Sequence, residues 1–511
     1  MTVRVDAPAG ALRGFAQGNL RVFRGVPYAQ PPVGALRWQA PVALPRWAGL
    51  RDATQFGPAA FQPGATLSSV YATPPMPMSE DCLSLNIWAP RDAVDAPVFV
   101  WIHGGALWNG SSREAMYDGS HLAAQGLVVV SINYRLGVLG WLAHPELGAE
   151  TGEGLSGNYG LLDQIAALRW VRDNIGAFGG DPAKVTIAGE SAGALSVAYL
   201  MASPLARGLF ARAIAQSAYM ITTPALHEDR HGLRSGEASG LDLARALGAA
   251  DIAALRSMPA DVLTRAASAA HYAPFGVIDG HILPDQLVAL FDRGEQAPVP
   301  ILAGYNSGEI RSLRMLAPAV PGDATAYDHA IRAAYGDLAD AFLRLYPATD
   351  MAEAVLAATR DGLYGWTAER LVRHQHAMGC AAYLYHFDHG YEPAIAQGLH
   401  AFHASEIPYV MGTFDGTPPN WPRVPVTPRE TALSQAMMAY WTAFARDGHP
   451  RAANRPAWPA FGETRAAMRF AGAPMVVSDG QPGMFDLHEA MVSRRRATGN
   501  VAWNWNVGIA A

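Results

Sequence analysis

Runs of apolar, mostly β-branched residues recur along the chain and predict buried strands. Such runs lie at 98–102, 127–132, 185–188, 299–303 and 382–387. Each is apolar at nearly every position, which is typical of strands that are covered on both faces of a sheet. Between them lie stretches with helical spacing of apolar residues. This alternation predicts an α/β fold with a large, mostly parallel central sheet and helices on both faces.

Two regions of the chain depart from this alternation of buried strands and helices. Residues 1–50 alternate between apolar and polar positions and are rich in glycine and proline, which suits antiparallel strands at the edge of the sheet. Residues from about 315 to 400 have a helical pattern and few strand signals. We interpret this region as an insertion packed over the sheet. The whole chain, residues 1–511, is then predicted to form a single domain.

The stretch 185–193 carries the clearest chemical signal. A β-branched run leads directly into the sequence G-E-S-A-G at 189–193, and a helix-compatible run follows at 194–201. A serine between two glycines at a strand-to-helix turn is typical of a nucleophile elbow, in which the serine Oγ is exposed. Glycines are expected there because side chains beside the turn would clash. The alternative is an ordinary loop serine between two turn glycines.

Further polar residues follow other predicted strands, where open α/β sheets place their sites. His103-Gly104-Gly105-Ala106 comes after the run at 98–102, and such a turn can supply backbone amides to an oxyanion hole. Glu309 follows the run at 299–303, and a carboxylate there can orient a histidine. In isolation, the first motif could be a simple turn and the second a solvated loop residue.

Two histidines, His400 and His403, follow the run at 382–387. The order Ser191, Glu309, His403 reproduces the order of nucleophile, acid and base in α/β-hydrolases. That agreement supports both assignments together. We therefore predict that His403 is the base and that His400 is structural or partly exposed.

Composition excludes several other classes of function. Half of the residues are hydrophobic, 16% are charged and the net charge is −6, which predicts a well-packed globular protein without a nucleic-acid-binding surface. No apolar stretch is long enough to span a bilayer, and no signal peptide is evident. Two cysteines, Cys82 and Cys380, are too few for a disulfide scaffold, so we expect a cytoplasmic protein. No metal-ligand spacing is present, so neither a metal nor a cofactor is expected.

Together the motifs resemble those of the type-B carboxylesterases, a family that includes the cholinesterases and the bacterial para-nitrobenzyl esterases. The resemblance extends over nearly the whole chain and is carried by the following motifs: F-R-G-V-P-Y-A-Q-P-P-V-G at 23–34, S-E-D-C-L-S-L-N at 79–86, N-Y-R-L-G-V-L-G at 133–140, G-N-Y-G-L-L-D-Q at 157–164, F-G-G-D-P at 178–182, G-E-S-A-G at 189–193 and H-A-S-E-I-P-Y at 403–409.

The resemblance implies roles for individual residues. Ser191 would be the nucleophile, Glu309 the acid and His403 the base. The amides of Gly105, Ala106 and Ala192 would form the oxyanion hole, and Ser217 would support the triad through a hydrogen bond. Glu190 is either a supporting hydrogen-bonding residue or a structural carboxylate, and the sequence leaves both open. Leu107, Trp108 and Phe275 are candidates for the wall of the substrate pocket.

Two departures from the family pattern refine this expectation. Animal members pair the cysteine of the E-D-C-L motif with one upstream, whereas the corresponding stretch here, residues 56–60, has none. Choline-binding members carry a tryptophan about ten residues before that cysteine, where this chain has Tyr71-Ala72. A quaternary ammonium would lack its best cation–π partner.

The sequence thus predicts a serine carboxylesterase that hydrolyses neutral, small-molecule esters through an acyl-enzyme, as a monomer or small homo-oligomer. The alternatives are an amidase or carbamate hydrolase with the same triad, and a non-catalytic binding protein of the same fold.

Overall fold

A single sheet of 13 strands runs through the protein, whose computed structural model describes residues 1–64 and 68–503. The strands are β1 (Thr2–Ala7), β2 (Gly10–Gln17), β3 (Leu20–Pro27), β4 (Leu50–Asp52), β5 (Ser84–Pro90), β6 (Ala96–Ile102), β7 (Val128–Ile132), β8 (Gly180–Glu190), β9 (Arg212–Gln216), β10 (Ile301–Asn306), β11 (Ala382–Phe387), β12 (Ala466–Phe470) and β13 (Pro474–Ser478).

The middle of the sheet is parallel and its edges are antiparallel. The strand order is β1-β2-β3-β5-β7-β6-β8-β9-β10-β11-β12-β13, and β4 pairs with β2. All pairings from β7 to β12 in this order are parallel, whereas β1, β2, β3, β5 and β13 pair antiparallel with their neighbours along it. Every strand predicted from a continuous apolar run overlaps one of the parallel strands. The mostly parallel sheet and its antiparallel N-terminal edge are therefore confirmed.

Helices cover the sheet on both faces. They are α1 (Ser120–Ala123), α2 (Gly137–Trp141), α3 (Pro145–Thr151), α4 (Tyr159–Asn174), α5 (Ala192–Ala202), α6 (Gly236–Ala246), α7 (Ile252–Ser257), α8 (Ala260–Ala269), α9 (Leu287–Asp292), α10 (Ala324–Tyr335), α11 (Ala339–Leu345), α12 (Met351–Arg360), α13 (Trp366–Ala377), α14 (Glu392–Ala396), α15 (Ile407–Met411), α16 (Pro428–Asp447) and α17 (Met484–Thr498). A π-helical segment, Asp361–Gly365, joins α12 to α13.

Alternating side chains of each strand enter two separate apolar layers. In β6, Val98 and Val100 pack in the layer that includes α4 and α5, whereas Phe99 and Trp101 pack in the layer that includes α15 and α16. This pattern follows from the two-residue period of a strand. Because both faces of β6 are buried, its sequence is apolar at every position.

The predicted insertion, about 315–400, contributes helices α10 to α14 and also the strand β11. Helices α10, α11, α12 and α17 enclose an apolar cluster of their own, which contains Ile331 and Phe342. The next helix, α13, packs on β10 and β11. The insertion is thus tied directly to the sheet. Within the part of the chain described here, no helix is both long and apolar enough to cross a membrane.

Candidate active site

The polar residues singled out in the sequence come together beyond the carboxyl ends of the parallel strands. The turn 103–106 follows β6, Ser191 follows β8 and Ser217 follows β9. Glu309 begins a short 3-10 turn just after β10, and His403 lies on the segment after β11. Since parallel strands end at one edge, residues far apart in sequence meet there.

Ser191 lies at the junction between β8 and α5 in a strained backbone conformation. Its φ is 56° and its ψ is −123°, outside the regions that non-glycine residues usually adopt. The turn is tight enough to exclude side chains at its flanks: a Cβ on Gly189 would lie 2.5 Å from the backbone of Gly193. A Cβ on Gly193 would lie 2.1 Å from the carbonyl oxygen of Ile102. Both glycines are therefore required by packing.

Glu309 and His403 form a buried hydrogen-bonded pair. Nδ1 of His403 contacts Oε2 of Glu309, and neither side chain is more than 6% exposed. The other carboxylate oxygen, Oε1, accepts hydrogen bonds from the Ser217 hydroxyl at 2.6 Å and from the Asn306 amide at 2.8 Å. These donors fix the carboxylate, and the carboxylate in turn orients the imidazole ring.

Glu190 approaches the opposite nitrogen of the same imidazole. Its Oε1 lies 3.0 Å from Nε2 of His403, an ion-pair contact that lacks the geometry of a hydrogen bond. Among the described residues, no hydrogen bond joins the Ser191 hydroxyl to His403. The Nε2 atom, which would accept a proton from Ser191, is thus turned towards Glu190 in this structure.

Two opposing effects set the protonation of this imidazole. Burial disfavours the imidazolium, but the charges of Glu190 and Glu309 outweigh it and raise the pKa of His403 to about 9. Burial and the nearby carboxylates Glu406 and Glu309 raise the pKa of Glu190 well above its usual range, although His403 opposes this shift. The histidine and Glu190 therefore hold a proton between them more tightly than either would alone.

The turn after β6 presents backbone amides to the site. Positive φ angles at Gly105 (103°) and Ala106 (55°) turn the chain sharply, and both residues line the cavity that contains Ser191. Within the described chain, neither of these two amides donates to an intramolecular acceptor. Ala192 is the first residue of α5, and the amide at this position has no acceptor inside a helix. The three amides predicted for the oxyanion hole are thus free to bind a ligand.

A cavity of about 690 Å³ opens above Ser191 and His403. Tyr71 and Tyr364 flank the imidazole, with ring centroids 6.4 Å and 5.3 Å from that of His403. The Tyr71 hydroxyl donates to the carbonyl oxygen of His403 at 3.0 Å. Most of the remaining wall is apolar, and its apolar members include Met76, Met78, Met116, Leu313, Met315, Leu316 and Leu363.

None of the three residues proposed for the pocket wall lines this cavity, so that prediction was wrong. Leu107 is 1% exposed because its φ of 60° turns the chain back into the core. Trp108 packs over Gly137 and meets Tyr272 edge to face. Phe275 packs against the apolar layer beneath the sheet. The positive φ angles at 105–107, which the sequence pattern does not specify, direct the side chain of Leu107 into the core.

The two histidines of the 400–403 segment occupy different environments. His400 is exposed and has a φ of 54°, and its backbone amide donates to Ala394. His403 is 5% exposed and carries the contacts described above. The structure therefore brings His403, and not His400, to Ser191 and Glu309.

Several residues of the site were not among those predicted from the sequence. Glu406 is fully buried behind the triad, where it accepts hydrogen bonds from Gln216 at 2.9 Å and Asn306 at 2.5 Å. Tyr71, Tyr219, Tyr364 and Glu114 line the cavity. Two of these residues had a local signal: Glu114 has the S-x-x-E spacing from Ser111, and Glu406 lies in the motif at 403–409. The part of the chain that the structure covers contains no cluster of His, Cys, Asp and Glu side chains able to hold a metal.

Comparison with known proteins shows that the chain is similar to esterases. The family model described as "Carboxylesterase family" matches residues 2–476. A fumonisin B1 esterase from Sphingopyxis macrogoltabida is 36% identical over 491 residues, which cover 90% of this chain and 85% of that protein. A para-nitrobenzyl esterase from Bacillus subtilis is 35% identical, covering 90% and 92%. A solved PNB esterase structure superposes with a TM-score of 0.82 at 32% identity, covering 95% and 99% of the two chains.

Proposed function

Because this chain belongs to the carboxylesterase family, and is therefore a carboxylic ester hydrolase of the α/β-hydrolase fold, we propose that Ser191, His403 and Glu309 are its catalytic triad. The contact of Glu309 with Nδ1 of His403, beside the strained Ser191, is the observation that carries this proposal. The acid holds the ring through Nδ1, which leaves Nε2 for proton transfer.

The reaction begins when Ser191 Oγ attacks the ester carbonyl carbon and His403 Nε2 takes its proton. The tetrahedral oxyanion is bound by the amides of Gly105, Ala106 and Ala192, which are ready before charge develops. The C–O bond to the alcohol then breaks, and His403 returns the proton to the leaving oxygen. Water repeats these steps on the acyl-enzyme and releases the acid.

Glu190 and Ser217 support this cycle without touching the scissile bond. Ser217 donates to Glu309 and keeps its carboxylate in register with the imidazole. Glu190 stabilises the imidazolium that forms when His403 accepts the proton. For Nε2 to receive that proton, its contact must shift from Glu190 to Ser191 when substrate binds, since catalytic hydrogen bonds often tighten only in the complex.

The substrate class we propose is small-molecule carboxylic esters whose scissile region is neutral. The cavity size suits a compact organic ester, and its wall is largely apolar. Amides and carbamates are the second candidate, because the same triad cleaves them and only the leaving group differs. No metal or cofactor enters the scheme.

We also propose a cytoplasmic location and action as a monomer or small homo-oligomer. Cys82 and Cys380 are both unpaired in the structure, which suits a reducing compartment. Neither a nucleic-acid partner nor a membrane partner is part of this proposal.

The triad is tested by replacing Ser191 with alanine and by labelling the wild type with an organophosphate. We expect the Ser191→Ala variant to fold normally and to lose ester hydrolysis, because the change removes one oxygen from an uncrowded position. Peptide mass spectrometry should locate the adduct on Ser191. An adduct on another serine, or an active Ser191→Ala variant, would refute the assignment.

Substrate class is tested by one hydrolysis screen of nitrophenyl esters of increasing chain length, with an aryl amide and a carbamate of matched size. We expect the esters to be cleaved with the highest kcat/KM. Faster cleavage of the amide or carbamate would favour the second candidate. Prior treatment with EDTA should leave all rates unchanged, and a metal-dependent recovery of activity would contradict the mechanism.

A further inference from the structure

Glu114 places an additional carboxylate in the wall of the cavity that contains Ser191 and His403. It lies just before the short 3-10 turn Ala115–Tyr117. One carboxylate oxygen accepts a hydrogen bond from the Ser111 amide at 3.0 Å. Among the residues the structure describes, no other hydrogen bond or ion pair reaches this carboxylate. Its second oxygen is therefore available to a bound molecule.

No basic side chain compensates the charge of Glu114. The neighbouring Arg113 donates to the carbonyl oxygen of Gly57 at 3.4 Å, and its guanidinium lies 5.7 Å from the ring centre of Phe56. The described lining of the cavity contains neither lysine nor arginine. Burial raises the pKa of Glu114 to about 7, although the Ser111 amide opposes the shift. This is the behaviour of a carboxylate that lacks a cation.

The other charged groups of the cavity do not provide that cation. His403 is held between Glu309 and Glu190, which together account for both of its ring nitrogens. Glu190 adds a second carboxylate to the same wall. Because Glu190 is paired with His403, the unpaired carboxylate of this wall is that of Glu114, which would attract a cation on the substrate.

We propose that Glu114 binds an ammonium group of the substrate, so that the enzyme prefers carboxylic esters that also carry a primary or secondary amine. This inference rests on the proposed function, because it assigns the substrate of the same cavity. An ammonium with N–H donors can form a charge-assisted hydrogen bond to the free carboxylate oxygen. A quaternary ammonium has no N–H and cannot form such a bond.

The remainder of the cavity wall indicates what separates the amine from the ester. Methionine and leucine side chains, including Met76, Leu313 and Leu363, line the space around the catalytic residues. Such a surface suits an alkyl chain, and methionine adapts to chains of different shape. The preferred substrate therefore has an ester and an amine joined by an apolar spacer.

The test compares esters that differ only in whether their chain ends in an ammonium or a methyl group. Ethyl ω-aminohexanoate is paired with ethyl heptanoate, and ω-aminohexyl acetate with heptyl acetate, so that the amine lies on the acyl or the alcohol side. Acid release is measured at a pH above 8, about one unit above the pKa of Glu114, so that its carboxylate is ionised. We expect the amine-bearing member of at least one pair to have the higher kcat/KM.

Glu114→Gln should remove that preference. Glutamine keeps an oxygen that can accept from the Ser111 amide but carries no charge. We expect kcat/KM for the preferred amine ester to fall roughly tenfold, the usual loss for a hydrogen bond between charged groups, and the neutral ester to change less than about twofold. The matched control is Asp415→Asn, which removes an exposed charge that is not part of the cavity wall. Asp415 is near Glu114 because its neighbour Gly416 packs against Ala115.

Each other result has a distinct meaning. An equal fall for amine and neutral esters in Glu114→Gln would overturn the inference and make Glu114 a structural residue. An equal loss of preference in Asp415→Asn would also overturn it, because the effect would then be long-range attraction. Wild-type protein that cleaves neither member of any pair would instead count against the proposed function.

Discussion

His403 and His400 share one loop, but only His403 is buried against Glu309. We expect His403→Ala to lower kcat by on the order of 10⁴, as loss of a triad member does. His400→Ala should retain nearly normal turnover, because this side chain is exposed. The two variants are compared by steady-state kinetics with one nitrophenyl ester. An inactive His400→Ala variant beside a normal His403→Ala variant would require a different geometry for Glu309.

Glu190 should set the pH at which the enzyme becomes active. The base must be neutral, and its neighbouring carboxylates raise the pKa of His403 to about 9 from its ordinary 6.5. We therefore expect kcat/KM to rise with pH and to level off only above the ordinary range of histidine. Because Glu190→Gln removes a charge that stabilises the imidazolium, its profile should shift to lower pH.

The control for this shift is Asp92→Asn, which removes an exposed charge just before β6, at the end of that strand opposite the site, and should leave the profile unchanged. Profiles are measured as kcat/KM, since this ratio reports ionisation of the free enzyme. An identical acid limb in wild type and Glu190→Gln would show that Glu190 does not act on His403.

At the scale of elements, the turn between β8 and α5 depends on close backbone packing. We expect Gly193→Ala to destabilise the protein by about 1 to 3 kcal/mol and to lower kcat, because the new Cβ must displace the carbonyl of Ile102 and thereby shift Ser191. Thermal unfolding and steady-state kinetics measure the two effects.

Gly176→Ala is the matched control for this substitution. Gly176 is exposed, and a Cβ there meets no atom within 4 Å. Both the Tm and kcat should remain close to wild type. If Gly193→Ala behaved like this control, the close approach of α5 to β6 would not determine the geometry of the elbow.

The same elements show which features of the fold a sequence pattern can predict. Strands β6, β7, β8, β10 and β11 contain continuous apolar runs because both of their faces are buried. In contrast, β9 and β12 each contain an arginine, so the continuous run is absent and the sequence did not indicate them. The site residues that directly follow these strands could also be predicted, because the end of a strand fixes the position of the next residue.

The substrate cavity could not be predicted in this way. Its wall combines Tyr71, Glu114 and Tyr364, which come from three distant segments. Whether they come together depends on the paths of long connections and on residues with positive φ. Leu107 is such a residue, and its conformation places in the core a side chain that was predicted to line the cavity. Local periodicity contains no information about such paths.

At the scale of the whole molecule, we predict that the insertion and the sheet unfold together as one domain. The apolar cluster of α10, α11, α12 and α17 is separate from the layers on the sheet. It is nevertheless joined to them without a linker, because α12 continues through the segment Asp361–Gly365 into α13, which packs on β10 and β11. Leu363 and Tyr364 of that segment also line the catalytic cavity.

Phe342→Ala tests this coupling, because Phe342 is fully buried in the cluster and distant in sequence from every triad residue. Its truncation should cost about 3 to 5 kcal/mol, which for a chain of 511 residues corresponds to a fall in Tm of roughly 3 to 5 °C. We expect one calorimetric transition in wild type and variant, and loss of esterase activity at the same temperature as loss of helical circular dichroism. If the variant instead showed an early transition that left activity intact, the insertion would unfold as an independent unit. The wall of the cavity at Tyr364 would then survive the loss of its neighbouring helices.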